Sequence, residues 1–346
     1  MSGETAPPRP PEPDRSLIYA ITVSLVLLVV AITAGVGASR VLRPAPTASP
    51  SPSSARSSPT PTEPPSTEPL VFTQALSAGC AAGDAVYVVS DGGGIGRFQF
   101  DRWQLIDPIA RSLVAATCQG DVLTAVGGGG RVVTIDDRAQ TIASDAVGFE
   151  DFLGVAPLGD GVLVVGRSGV VERQSAGGWG RYAAGIEEDL YAVAAFSPTS
   201  AWVVGAGGIS YRLEAGGWRP VATGATATLR AVAARAVDDA VVVGDDGTVL
   251  VWTGAWTRVD AQLHVALRAA LRVGDVTYIA GDQGTLLRLT GAPASPAFAR
   301  IDLGATCTLR GLFSRGSEVW VVGSDGGRAA VWRITQGAVF HWGECP

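Results

Sequence analysis

An all-β fold built of seven like units is predicted by three observations. A four-residue turn, usually Gly-x-x-Gly, follows a Val-rich run at Ser90, Gly127, Gly166, Gly205, Gly244, Gly281 and Gly323. Successive turns recur at a nearly even spacing of about 40 residues, the period of a repeated supersecondary unit. Each period has room for four short strands: one led by leucine, the Val-rich one, a third, and a fourth that opens on an aromatic residue. Four strands per ~40 residues describe a propeller blade. The prediction is therefore a seven-bladed β-propeller over 70–346, and the segment 240–256, AVVVGDDGTVLVWTGAW, shows the unit most completely.

The chain in front of the ring falls into three parts. Residues 1–16 hold five prolines and scattered charges, with too little apolar surface to fold, and read as a disordered cytoplasmic tail. Residues 17–39 carry no charge and are rich in Leu, Ile, Val and Ala, long enough for a transmembrane helix, which needs about 20 apolar residues. A cleaved signal peptide with Val36-Gly37-Ala38 at its end is the rival, but signal cores run to roughly 7–15 residues, so a retained signal-anchor is favoured. Arg9 and Arg15 before the run balance Arg40 and Arg43 after it, so flanking charge does not orient it.

Residues 40–69 form a Pro/Ser/Thr-rich stalk, 20 of the 26 residues in 44–69 being Pro, Ser or Thr. At about 3.1 Å per residue it spans up to ~80 Å. With four cysteines downstream, this places the propeller on the extracytoplasmic side of the cytoplasmic membrane. The 16-residue tail is too short for a signalling domain, which argues against a sensor.

Within the ring the leading residues are Leu76, Leu113, Leu153, Leu190, Leu229, Leu267 and Leu309. The fourth strands open on Trp103, Trp179, Trp218, Trp256 and Phe298, with Gln140 at the matching place in unit two. The tryptophans recur in register and read as packing residues, as do Trp202 and Trp320. Unit seven takes all four strands from the C-terminus, so no strand-swapped closure is expected; residues 70–73 add a strand or lie across the junction.

Cys80 and Cys118 stand as far apart in sequence as Cys307 and Cys345, about one blade in each case. This predicts Cys80–Cys118 and Cys307–Cys345 disulfides, the second pinning the C-terminus near the ring closure. A Cys80–Cys345 bond sealing first blade to last is the alternative.

Composition narrows the function. Charged residues are 17% of the chain, net charge is -6, and lysine and asparagine are missing, a coding bias suggestive of a GC-rich bacterial genome. An acidic chain without lysine suits nucleic acid poorly. His264 and His341 lie far apart and no Cys-x-x-Cys occurs, so no metal and no cofactor is expected.

Blade five, GDDGTVLVW, looks like a WD-repeat strand, although no Gly-His or Trp-Asp dipeptide occurs. A closer likeness lies in V-V-G-x-x-G-x-h-x-R followed by Gly-Gly-Trp: 166–173 with Gly177-Gly178-Trp179, 205–212 with Gly216-Gly217-Trp218, and 281–288 without the Trp. Over nearly all of 70–346 this resembles the propellers of photosystem II assembly factors and the sialidase-like, Asp-box superfamily, though the full Asp-box is absent. The likeness implies the fold and a binding or assembly role, with a sialidase-like hydrolase as the alternative. Such an enzyme requires an arginine cluster, a Tyr–Glu nucleophile pair and an acid, and no Tyr–Glu pairing can be assigned.

Arg230, Arg268 and Arg310 follow the leading leucines of blades five to seven, and Tyr191 holds that position in blade four. Equivalent positions in neighbouring blades lie side by side, so these residues should cluster at the channel mouth. They form either a site for a carboxylate or small anion, or local pairs with aspartates. Asp91, Asp245, Asp246, Asp282 and Asp325 occupy turns on the same face, joined by Glu150, Asp151, Glu187, Glu188 and Asp189. They make an acidic docking surface for a basic protein, or serve the turns themselves.

Overall fold

The computed structural model describes residues 73–106, 112–182, 185–292, 295–335 and 338–345. The tail 1–16, the apolar run 17–39, the stretch 40–69 and residues 70–72 lie outside these. Among the described residues no helix is long and apolar enough to cross a membrane.

Seven four-stranded antiparallel sheets follow one another along the chain, each a simple up-and-down meander, spanning 76–106, 115–146, 152–181, 190–220, 229–258, 267–300 and 308–343. Each innermost strand packs against the next, and Leu76–Ala82 packs against Thr308–Arg315, which closes the ring. Blade 7 takes all its strands from the C-terminus, so no strand is shared at the closure.

The composition of each strand follows from its depth. Second strands such as Gly161–Gly166 and Ala85–Ser90 are buried along their whole length, because both faces meet a neighbouring blade. They therefore read as continuous apolar runs without alternation. Outer strands such as Thr141–Ala146 are exposed. The core is divided among seven apolar clusters, one at each blade junction.

The Gly-x-x-Gly turns are explained by two close approaches of backbone. Gly244 faces the Thr228 carbonyl just ahead of the innermost strand, and a Cβ there would collide with it. Gly247, at φ +63°, sits under the Leu263 carbonyl of the linker to the next blade, so both its conformation and its surroundings require glycine. The residue before it, Asp246, is also left-handed at φ 54°, a conformation aspartate tolerates.

The structure corrects three expectations, two of them through register. In blade 3 the buried residue opposite the turn glycine Gly166 is Phe152, as Leu190 is opposite Gly205; Leu153, expected there, is the next residue and lines the channel. The position held by Trp103, Trp218, Trp256 and Phe298 in outer strands falls on Ile142 in blade 2, while Gln140 stays in the hairpin at φ 53°. In blade 7 the same position is Val339, paired with Ile334. The outer-strand aromatics wedge into the junction with the preceding blade: Trp256 donates from Nε1 to Ser210 Oγ of blade 4 at 3.0 Å, and Trp218 to the Tyr182 carbonyl at 3.2 Å.

The third correction concerns the second disulfide. Cys80 and Cys118 join the innermost strands of blades 1 and 2 with Cα atoms 5.5 Å apart, and Cys307 bonds Cys345 with Cα atoms 5.8 Å apart. Both pairings are those expected. Cys307 and Cys345, however, pack in the cluster between blades 6 and 7, not at the closure. What seals blade 7 to blade 1 is aromatic: Phe98 of blade 1 meets Trp320 and Trp342 of blade 7 at 5.5 and 5.1 Å, and Trp103 meets Trp342 at 6.3 Å. Thr73 lies across this junction beside Gly327 of blade 7.

Candidate functional site

Because all innermost strands start on one face, the residue after each leading position falls on a common ring. That ring is Ser77, Val114, Leu153, Tyr191, Arg230, Arg268 and Arg310. All but Arg230 line a central cavity of about 200 Å³. Blades 1 to 3 thus contribute a neutral half, blades 5 to 7 a guanidinium half, and Tyr191 stands between them.

The three arginines do not have equal charge to offer. Arg230 grips Asp245 with both its Nε and its Nη2, the latter at 2.8 Å, and lies 5.6 Å over the Tyr191 ring. Arg268 grips Asp282 in the same way, with Nη2 to Oδ2 at 3.0 Å. The hydrogen bond from Arg268 holds the Asp282 carboxyl below the usual carboxylate range, with Thr308 and the charge of Arg230 assisting against partial burial. The hydrogen bond that Arg230 donates to Asp245 likewise raises the pKa of Arg230. Such planar two-point pairs are strong and demanding in geometry.

Arg310 is different: it is exposed and makes no ion pair among the described residues. The cause is the residue that follows the turn glycine, since blade 7 shares the register of blade 6. Leu309 faces Gly323, so the place taken by Asp245 and Asp282 falls to Ser324, which is buried and carries no charge. The second strand then runs on to Asp325 before turning at Gly326-Gly327.

The acidic residues also divide. Asp151 accepts from the Gly129 N–H at 2.8 Å and from Arg167 at 3.2 Å, and Asp189 accepts from the Ser168 N–H and from Arg167, each at 3.0 Å. Both therefore tie a blade to the turn of the blade before it. Asp91, Glu150, Glu187, Glu188, Asp246 and Asp325 are exposed. The motif arginines Arg173 and Arg212 lie over aromatic rings, Arg212 at 5.6 Å from Trp202 and 5.7 Å from Trp252, and belong to blade packing. Among the described residues no cluster of three His, Cys, Asp or Glu could hold a metal.

Sequence reasoning placed the mouth on Tyr191, Arg230, Arg268 and Arg310 but missed its neutral half. The signal was present: Ser77 and Val114 stand in the same position after Leu76 and Leu113.

No protein-family profile and no curated protein matches the chain. Solved structures do. The WD40 β-propeller domain of Doa1 superposes with TM-score 0.66 at 13% identity, over 78% of this chain and 95% of that one. U3-55K superposes with TM-score 0.63 at 10% identity, over 77% and 94%. YCF48 from Cyanidioschyzon merolae, a photosystem II assembly factor, superposes with TM-score 0.61 at 14% identity, over 75% and 95%. The chain is a seven-bladed propeller with four-stranded blades, and its likeness to these proteins is one of fold.

Proposed function

We propose that the protein is a membrane-anchored, extracytoplasmic binding scaffold whose channel mouth receives a single carboxylate from a protein partner. The observation that carries this is Arg310, an exposed guanidinium with no carboxylate partner among the described residues, on a ring where Arg230 and Arg268 are each neutralised by an aspartate. One uncompensated cation in a cavity shared with the apolar Val114 and Leu153 suits a C-terminal residue or an acidic side chain, inserted with its hydrocarbon part against the neutral half. The fold supports the reading, since the structural neighbours include an assembly factor. Anchoring by 17–39 and the extracytoplasmic placement rest on the sequence alone.

A sialidase-like hydrolase is the second reading. Against it stand the two arginines already committed to Asp245 and Asp282, and Tyr191, which lies under Arg230 and has no hydrogen-bonded glutamate among the described residues. Titrating the full chain with short peptides ending in a free carboxylate, and with their amidated counterparts, tests the proposal. Binding of the free acid alone, weakened about tenfold or more by Arg310→Ala, is expected for a charge-assisted hydrogen bond. Equal binding of amide and acid would sink it, and turnover of a sialoside would favour the enzyme.

A further inference from the structure

The outer strand of every blade is an edge with unpaired backbone groups, and five of the seven carry an arginine: Arg102, Arg181, Arg219, Arg258 and Arg300. The blade 4 edge adds Pro220. Charge or proline on an exposed edge obstructs pairing with another chain. Only Thr141–Ala146 in blade 2, whose single charge is Asp145, and Ala338–Gly343 in blade 7 have neither arginine nor proline, and each pairs with its third strand through six residues, the longest outer ladders in the ring.

These two edges are not equivalent. Blade 7's turns Trp342 into the closing cluster, and it belongs to the blade beside which Thr73, where the 72 N-terminal residues join, is seated. Blade 2's strand presents TIASDA with Ile142 52% exposed. Arg131 reaches Ser144 at 3.5 Å, but from the third strand, leaving the outer backbone open.

We propose that Thr141–Ala146 pairs antiparallel with the same strand of a second copy of this chain. Facing residues in an antiparallel pair point to the same side of the sheet while neighbours along a strand alternate. A two-fold axis must therefore be centred on a residue. Centred on Ala143, it faces Thr141 of one copy with Asp145 of the other, and Ile142 with Ser144. The Thr141 hydroxyl donates to the Asp145 carboxylate, and the strand's one charge never opposes its own copy. Ala143 faces Ala143, where small side chains allow close approach. Centring on Ser144 instead sets Asp145 against Ala143 and forfeits that hydrogen bond.

Cysteine placement reads this register directly. Full-length Ala143→Cys, oxidised in air, should give a covalent dimer on a non-reducing gel, because facing Cα atoms in such a pair lie within bridging reach. Ser144→Cys, facing Ile142, should stay uncrosslinked. In sedimentation velocity, Ala143→Arg should weaken association of the full chain about tenfold or more by opposing two like charges. Variants are compared in one detergent, so association through 17–39 cancels. An Ala143→Arg protein as dimeric as wild type, a monomeric wild type, or equal crosslinking at 143 and 144 would each overturn the proposal.

Discussion

Blades 3 to 6 and the arc formed by blades 7, 1 and 2 hold their junctions by different means. At the junctions preceding blades 3, 4, 5 and 6, an outer-strand aromatic reaches into the core: Trp179, Trp218, Trp256 and Phe298. Blades 2 and 7 have Ile142 and Val339 at that position, 52% and 43% exposed, and their preceding junctions contain no outer-strand aromatic. Those two junctions are the ones with disulfides, Cys80–Cys118 and Cys307–Cys345. A covalent cross-link stands wherever the aromatic wedge is lacking. The closure between blades 7 and 1 has no shared strand, and it has Trp103 and Trp342 together. Each junction thus keeps at least one strong device.

The comparison breaks most readily at a wedge. Trp256→Ala should cost about 3–5 kcal/mol, the usual range for emptying a buried aromatic site, whereas Val339→Ala should cost less than about 1 kcal/mol. Urea unfolding midpoints of the two variants decide it, and similar losses would mean that Val339 is a wedge after all.

Removing a cross-link comes next. Each disulfide closes a 38-residue separation, so Cys307→Ser with Cys345→Ser should lose about 3–4 kcal/mol by the loop-entropy account. Adding Val339→Trp to that variant should return about 1 kcal/mol if an aromatic can replace the bond. No recovery would separate the two devices.

The smallest effect concerns the mouth. Asp282's carboxyl is held below its unfolded value of about 3.9. Its pairing therefore contributes fully above that pH and fades as pH falls through the lowered folded value. The stability gap between wild type and Arg268→Ala should be below about 1 kcal/mol at neutral pH, as for a partly exposed pair, and should close in acid. Arg310→Ala should lie within about 0.5 kcal/mol of wild type at every pH. Thermal melts from pH 3 to about pH 7 read both gaps, and a pH-dependent loss in Arg310→Ala would show that it has a carboxylate partner.

The ring itself was legible because its cause is local and repeated. A turn that admits backbone at both ends needs glycine at both ends, and that spacing survives in a single sequence. The disulfides were legible for a similar reason, since the members of each pair stand one blade apart. The fate of the arginines was not. The step that leads from Arg230 to Asp245, repeated from Arg310, reaches Asp325. Blade 7 keeps the shorter spacing of blade 6, in which Arg268 meets Asp282, and the residue that falls at that place is Ser324. That blade 7 lacks a wedge was equally hard to read. Phe340 and Trp342 look like wedges in the sequence, but one step along a strand reverses the side, and Trp342 faces blade 1.

The unshared closure has a consequence for how the protein is made. Every sheet is complete once its own stretch of about 40 residues is available, and each innermost strand needs only the blade before it. Contacts of long sequence separation are confined to one junction, where 308–343 meets 76–106. The chain can therefore be shaped in the order in which it emerges from the ribosome, with a single late event that waits for the last blade. Until then the apolar side of blade 1, with Phe98 and Trp103, stays open, and it is the surface a holding chaperone would have to cover.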